Sequence, residues 1–162
     1  MTNSTWAPLP SALCLSNGSP IRLIWNAGLR DGPHRAVGGA AIRRREIHLH
    51  PSLRGRPKER SRILTHELFH FAWARLGNPL RAAWKQLLHA ELASNAKGEL
   101  GWSSQWRKRE LPNNFNNYAC ESFCDTAACV FSTCREHEEY TLAPRWRAKR
   151  HAWFLANLPM KF

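Results

Sequence analysis

Acidic residues are scarce in this chain. Asp and Glu number 12 against 24 Lys and Arg, a net charge of +12, and only two of the acids are aspartates, Asp31 and Asp125. Each carboxylate is therefore informative. Long apolar runs are also missing: nothing approaches the roughly 18 residues that a bilayer-spanning helix needs, which excludes that class. The first twenty residues have neither a basic start nor a continuous apolar stretch, so a secretory signal is not expected. Cysteine is sparse and odd in number, five in all, with no C-x-x-C spacing. With no export signal, that points to reduced thiols and a cytoplasmic location rather than a disulfide framework. Apolar residues are not lacking. At 162 residues and 43% hydrophobic, the chain can bury one core, so wholesale disorder is excluded and a single domain over 1–162 is expected.

The positive charge is unevenly spread. Between Arg22 and Arg62 there are eleven basic and three acidic residues, and between Arg145 and Lys161 five basic and none acidic. Such blocks attract nucleic acid, anionic lipid or an acidic polypeptide, or they are simply a solvated surface. Residues 1–20, rich in Pro, Ser and Asn, read as an irregular lead-in. Ile21–Trp25 and Glu46–His50 read as strands, with Gly28, Gly32, Pro33, Gly38 and Gly39 as turn residues between them. Helices are expected over about 57–76, 80–93, 118–134 and 144–157, with a long loop over 95–117 that holds a short turn of structure near 102–109. Strands precede helices, so the fold class is α+β: a small antiparallel or mixed sheet followed by helices.

The first helix carries His66-Glu67-Leu68-Phe69-His70. On a helix, i and i+4 lie one turn apart on one face, so both imidazoles can reach a single ion, and Glu67 stands close enough to act as a base without ligating. A catalytic zinc takes three protein ligands and keeps a position open. The third ligand is not in the metzincin position, where this chain has Leu76. Glu121, in Cys120-Glu121-Ser122-Phe123-Cys124-Asp125, is the best candidate. Glu121 and Asp125 repeat the i, i+4 spacing, so one carboxylate can ligate while the other accepts a hydrogen bond from a ligand imidazole.

His66-Glu67-x-x-His70 followed about fifty residues later by Glu121-x-x-x-Asp125 resembles the gluzincin metallopeptidases, the thermolysin-type clan. The compact layout is also similar to small bacterial proteins of the ImmA/IrrE type. The resemblance covers roughly residues 45–130. It implies a zincin-like active-site helix and a peptidase with one Zn2+ per chain. His66, His70 and Glu121 would be ligands, Glu67 the general base, and Asp125 the orienter of His66. It also implies that Glu46–His50 is the edge strand lining the substrate. His89 is a rival third ligand, near the position used by SprT-like DNA-associated proteases, although Ala90 follows it where that group has Gly. Glu121 is preferred because two carboxylates at helical spacing explain two roles.

The expected activity is hydrolysis of a peptide bond in a peptide or protein substrate by a metal-activated water, with Glu67 moving the proton. Tyr118, His137 and Tyr140 are candidates for a further group stabilising the oxyanion. Different readings are a SprT-like DNA-associated metalloprotease, or a basic nucleic-acid-binding protein whose zinc is structural. Cys120, Cys124, Cys129 and Cys134 invite a second metal but read better as small buried apolar side chains. Trp146-Arg-Ala-Lys-Arg-His-Ala-Trp153 interleaves indoles with cations, as a base-binding segment would, though core packing is the commoner use of Trp. His48 and His50 alternate with Ile47 and Leu49, so both should turn away from the core.

Overall fold

The computed structural model describes residues 20–162, residue 10, and the backbone of 5–6 and 13–14. Most of the lead-in lies outside the described residues. The two pieces of it that are described are not irregular: β1 (Thr5–Trp6) and β2 (Leu13–Cys14) are short strands. They are followed by β3 (Arg22–Trp25), β4 (Arg30–Asp31), β5 (His34–Arg35), β6 (Gly38–Ala41) and β7 (Glu46–Leu49). Then come α1 (Pro57–Arg75), α2 (Asn78–Ala93), α3 (Trp102–Arg109), α4 (Phe115–Phe131), α5 (Pro144–Ala156) and β8 (Met160–Lys161). The α+β class follows directly.

The main sheet has the order β1-β3-β7-β6. It is mixed: β3 and β7 run parallel, while β1 and β6 are antiparallel to their neighbours. Two sequence expectations change here. Gly38 and Gly39 do not turn the chain; with Ala40 and Ala41 they form β6, paired from Gly38↔Leu49 to Ala41↔Glu46. And β7 is an interior strand, so the edge next to the helices is β6, not Glu46–Leu49. Gly-Gly-Ala-Ala has almost no intrinsic strand preference, and the ladder with β7 supplies what the side chains do not. Glycine is required at 38 for space. A Cβ there would stand 2.5 Å from Ile63 Cγ2 and 2.7 Å from Glu67 Oε1, so β6 presses its backbone onto α1.

Ile47 and Leu49 of β7 are fully buried toward the helices. His48 turns the other way and pairs with Glu46 at 3.2 Å, and His50 accepts from the Ser52 backbone N–H at 3.2 Å to open a short 3-10 turn. Pro57 starts α1, where its missing N–H costs nothing. α1 ends at Arg75, and Pro79 sits in the first turn of α2, which begins at Asn78. α1 is covered on all sides from Leu64 to Ala72 apart from half-exposed His70, because it lies between the sheet and α4. Around it, Phe69, Phe123, Phe131, Phe154, Trp84 and Trp153 form one aromatic core with ring centroids about 5–6 Å apart. A helix enclosed in this way should be apolar all round. The buried polar residues His66 and Glu67 in its middle break that rule.

Candidate metal centre

His66 and His70 project from one face of α1, and Glu121 and Asp125 from the facing stripe of α4, the helix against which α1 packs most extensively. The His66 and His70 Nε2 atoms lie 3.2 Å apart. Glu121 Oε2 stands 3.3 Å from His66 Nε2 and 3.9 Å from His70 Nε2. Donors about 2.0–2.1 Å from one tetrahedral ion are separated by roughly 3.3–3.4 Å, so two of the three separations match ligands around a common centre and the His70–Glu121 one is wider. Cys124 Sγ is also near: it forms a group with His66 and His70 in which the donor atoms lie within 4.8 Å of one another. These residues could hold a metal ion.

The charges in the cluster point the same way. Glu67, Glu121 and Asp125 gather around two imidazoles, and no Lys or Arg among the described residues forms an ion pair with them. Asp125 Oδ1 accepts from His66 Nδ1–H at 2.8 Å, a contact that turns His66 Nε2 toward the shared centre, where the neutral ring would present its lone pair. Its other oxygen accepts the Ser104 backbone N–H at 2.9 Å, in the first turn of α3. Gly101, just before that helix, lies so close to the Asp125 carboxylate that any Cβ would collide with it. The N-terminal end of α3 thus pins Asp125, and Asp125 in turn fixes the His66 ring. His70 Nδ1 has a different partner, Cys120 Sγ at 3.5 Å.

Burial works against charging His66, yet Asp125, Glu121 and Glu67 outweigh it and hold its pKa well above the ordinary value. His70 is raised as well: burial opposes this, and Cys120, Glu67 and Glu121 prevail. Burial is the main cause that raises Glu67; His66 and His70 oppose it, and Glu121 and Asp125 add to it. Glu121 and Asp125 are held below the usual carboxylate range, because the facing imidazoles outweigh their burial. The Cys120 thiol is drawn down to about 6, first by its hydrogen bond with Cys124 and then by His70.

The cluster is graded in depth. The Asp125 and His66 side chains are 3% and 9% exposed, whereas His70 and Glu121 are 21% and 22% exposed, so solvent reaches the centre from one side. Glu67 lies on the flank under β6, against Gly38. An arrangement with donors converging at the base, a buried carboxyl beside them and one open side can bind a divalent cation and move a proton next to it.

The remaining sequence candidates are engaged elsewhere. His89 is exposed and stacks on Phe115, with ring centroids 4.1 Å apart. Tyr118 is fully buried and its hydroxyl donates to Glu99 Oε1 at 2.6 Å. His137 bridges Glu59 and Glu139 at 3.1 and 3.7 Å. The Tyr140 hydroxyl donates to the Cys134 carbonyl at 3.3 Å. Cys124 and Cys134 are buried and Cys120 and Cys129 half-buried, all as free thiols. Trp146 is 5% exposed, as the core-packing reading of the tryptophans expects, and Arg150, in the same basic stretch, is 0% exposed. Sequence reasoning did not foresee Cys120 as the partner of His70; its place one residue before Glu121 was the available signal.

Set against known proteins, the chain matches no family model, no curated protein and no solved structure.

Proposed function

We propose that this protein is a zinc-dependent peptidase whose ion is held by His66, His70 and Glu121. The observation that carries the reading is the convergence of three donor atoms from two helices at 3.2, 3.3 and 3.9 Å, with Glu67 buried beside them. Nitrogen and carboxylate donors of this kind suit zinc, and three of them leave room for a further ligand. When bound, zinc supplies a water of lowered pKa and polarises a carbonyl. The chain's own residues do the rest. Asp125 and Cys120 set the orientation of the two imidazoles through Nδ1. Glu67, whose raised proton affinity comes mainly from burial, accepts a proton from the attacking water and returns it to the leaving amine. The backbone of β6 above Glu67 limits access from that side.

Cys124 carries a second reading. If it ligates together with His66, His70 and Glu121, the site is closed by four protein donors, and zinc is structural rather than catalytic. Metal content by elemental mass spectrometry, with hydrolysis of an unfolded protein, separates the two. The peptidase reading expects one zinc per chain in wild type and in Cys124→Ser and His89→Ala, and its loss in Glu121→Ala. Glu67→Gln keeps zinc and loses activity by roughly 100-fold or more. Zinc lost in Cys124→Ser, or a fully active Glu67→Gln, would sink it.

A further inference from the structure

A cleft of about 230 Å³ lies between the C-terminal part of α4, the segment that follows it, and α5. Leu100, Cys129 and Val130 supply its apolar wall, and Arg135, Arg147 and His151 its polar one. No Asp or Glu lines it. The buried arginines of this protein end on carboxylates, Arg62 on Glu59 and Glu139, and Arg150 on Glu91 and Glu99. The two in the cleft are held by carbonyls instead. Arg135 Nη1 donates to the Val130 carbonyl at 3.0 Å, and Arg147 Nε and Nη2 donate to the carbonyls of Leu142 and Tyr140. These bonds fix each guanidinium, yet leave Arg135 Nε and Nη2 and Arg147 Nη1 without an acceptor among the described residues. The two side chains come from different elements and converge on one thiol: burial raises the Cys129 pKa, and Arg147 and Arg135 both pull against it.

We propose that this cleft binds a small organic oxyanion, a compact apolar body carrying one carboxylate or phosphate head. An apolar cavity of roughly 150 Å³ is enough for benzene, and drug-sized ligands need roughly 300 Å³ or more, so the space here suits one ring with its head group. The apolar body rests on Leu100 and Val130. The head takes the spare guanidinium donors and the exposed His151 ring, in charge-assisted hydrogen bonds. A bare inorganic anion would leave the apolar wall uncovered, and a neutral molecule of the same shape would leave the donors to water. The inference does not depend on the metal centre.

The test is a ligand-observed NMR titration of the full chain with phenyl phosphate, benzoate, benzyl alcohol and inorganic phosphate, at about 100 mM salt so that exposed charges are screened. At least one of the two aromatic anions should bind with Kd on the order of 0.1–1 mM, as its size allows, and the better of the two shows which head group the cleft takes. Benzyl alcohol and inorganic phosphate should each bind more weakly by about tenfold. Arg135→Gln should weaken the aromatic anion by about tenfold. Ala148→Trp, at an exposed position of α5 that lines the cleft, should fill it and abolish binding. Both substituted side chains are exposed, so the circular dichroism spectrum should not change. Benzyl alcohol or inorganic phosphate binding as tightly as the aromatic anions would overturn the proposal. So would an affinity untouched by both variants, the mark of anions scattered over a basic surface.

Discussion

Helix α4 carries two buried polar clusters on different sides, and they are built to opposite rules. Toward α2 and α5, Arg150 sits fully buried with Glu91 and Glu99, at 2.6 and 2.9 Å. Lys108 adds a second cation to Glu99, and Tyr118 and Thr126 of α4 complete the hydrogen bonds. Two cations meet two carboxylates there, and the donors are spent within the chain. Toward α1, Glu67, Glu121 and Asp125 meet two imidazoles and, among the described residues, no Lys or Arg ion pair, in a protein with 24 basic residues to draw on. The first cluster is balanced and centred on a fully buried Arg150, and it ties α2, α4 and α5 together. The second sets three carboxylates against two imidazoles rather than against fixed cations, converges on one point and is partly exposed at His70 and Glu121. The contrast teaches that burial of polar groups does not by itself mark a site. What sets the second cluster apart is that its carboxylates face titratable imidazoles instead of fixed cations.

Arg150→Met should break the balanced cluster most severely. It strands Glu91 without its cation and leaves Glu99 with Lys108 alone, at a cost of about 3–5 kcal/mol and a fall of roughly 10 °C in Tm. Calorimetry measures it; a Tm within about 2 °C of wild type would mean that the network contributes little. In the acidic cluster Asp125→Asn should act on metal affinity rather than on the fold. Losing the carboxylate that orients His66 should weaken zinc binding by about 10–100-fold in competition with a chromogenic chelator, while the metal-free Tm stays closer to wild type than that of Arg150→Met. Equal affinity in both proteins would erase the distinction between the clusters.

The smallest effect expected is in pH dependence. Burial works to raise the Glu99 carboxyl, but Arg150, Lys108 and Tyr118 outweigh it and hold it below the ordinary glutamate value. A carboxyl lower in the folded than in the unfolded state contributes stability above its unfolded pKa, near 4.3, and loses it as the pH falls through its folded pKa. Wild type should therefore exceed Glu99→Gln in Tm at neutral pH, by roughly a few degrees, and the gap should close as the solution is acidified below about pH 4. A gap that stays constant down to acid would remove Glu99 from the balance.

Much of this was legible in the amino-acid sequence because it is local. The helices α1, α2, α4 and α5 follow from their residue pattern and from the prolines that open α1 and α5, while Pro79, which the sequence offered as a stop between helices, lies in the first turn of α2. The strand β6 was not legible, since Gly38-Gly39-Ala40-Ala41 shows turn residues where the fold needs a backbone thin enough to lie on Ile63 and Glu67. Arg150 was not legible either. Its partners Glu91 and Glu99 lie 59 and 51 residues away, so a basic run beside tryptophans read as surface. Trp102 and Trp106 had no distinguishing pattern at all; exposure is a property of what fails to cover them.

The sequence by itself determined two pairs of side chains, His66 with His70 and Glu121 with Asp125. The helical repeat puts i and i+4 on one face whatever surrounds them. Only the tertiary structure decided how those faces meet. The packing of α1 on α4 sets Glu121 at the two imidazoles and Asp125 behind His66. It leaves His89 stacked on Phe115. It also gives Tyr118 to the balanced cluster rather than to the open one. These outcomes depend on distances between segments some fifty residues apart, which close packing of the aromatic core fixes to within an ångström or so and which no local spacing contains.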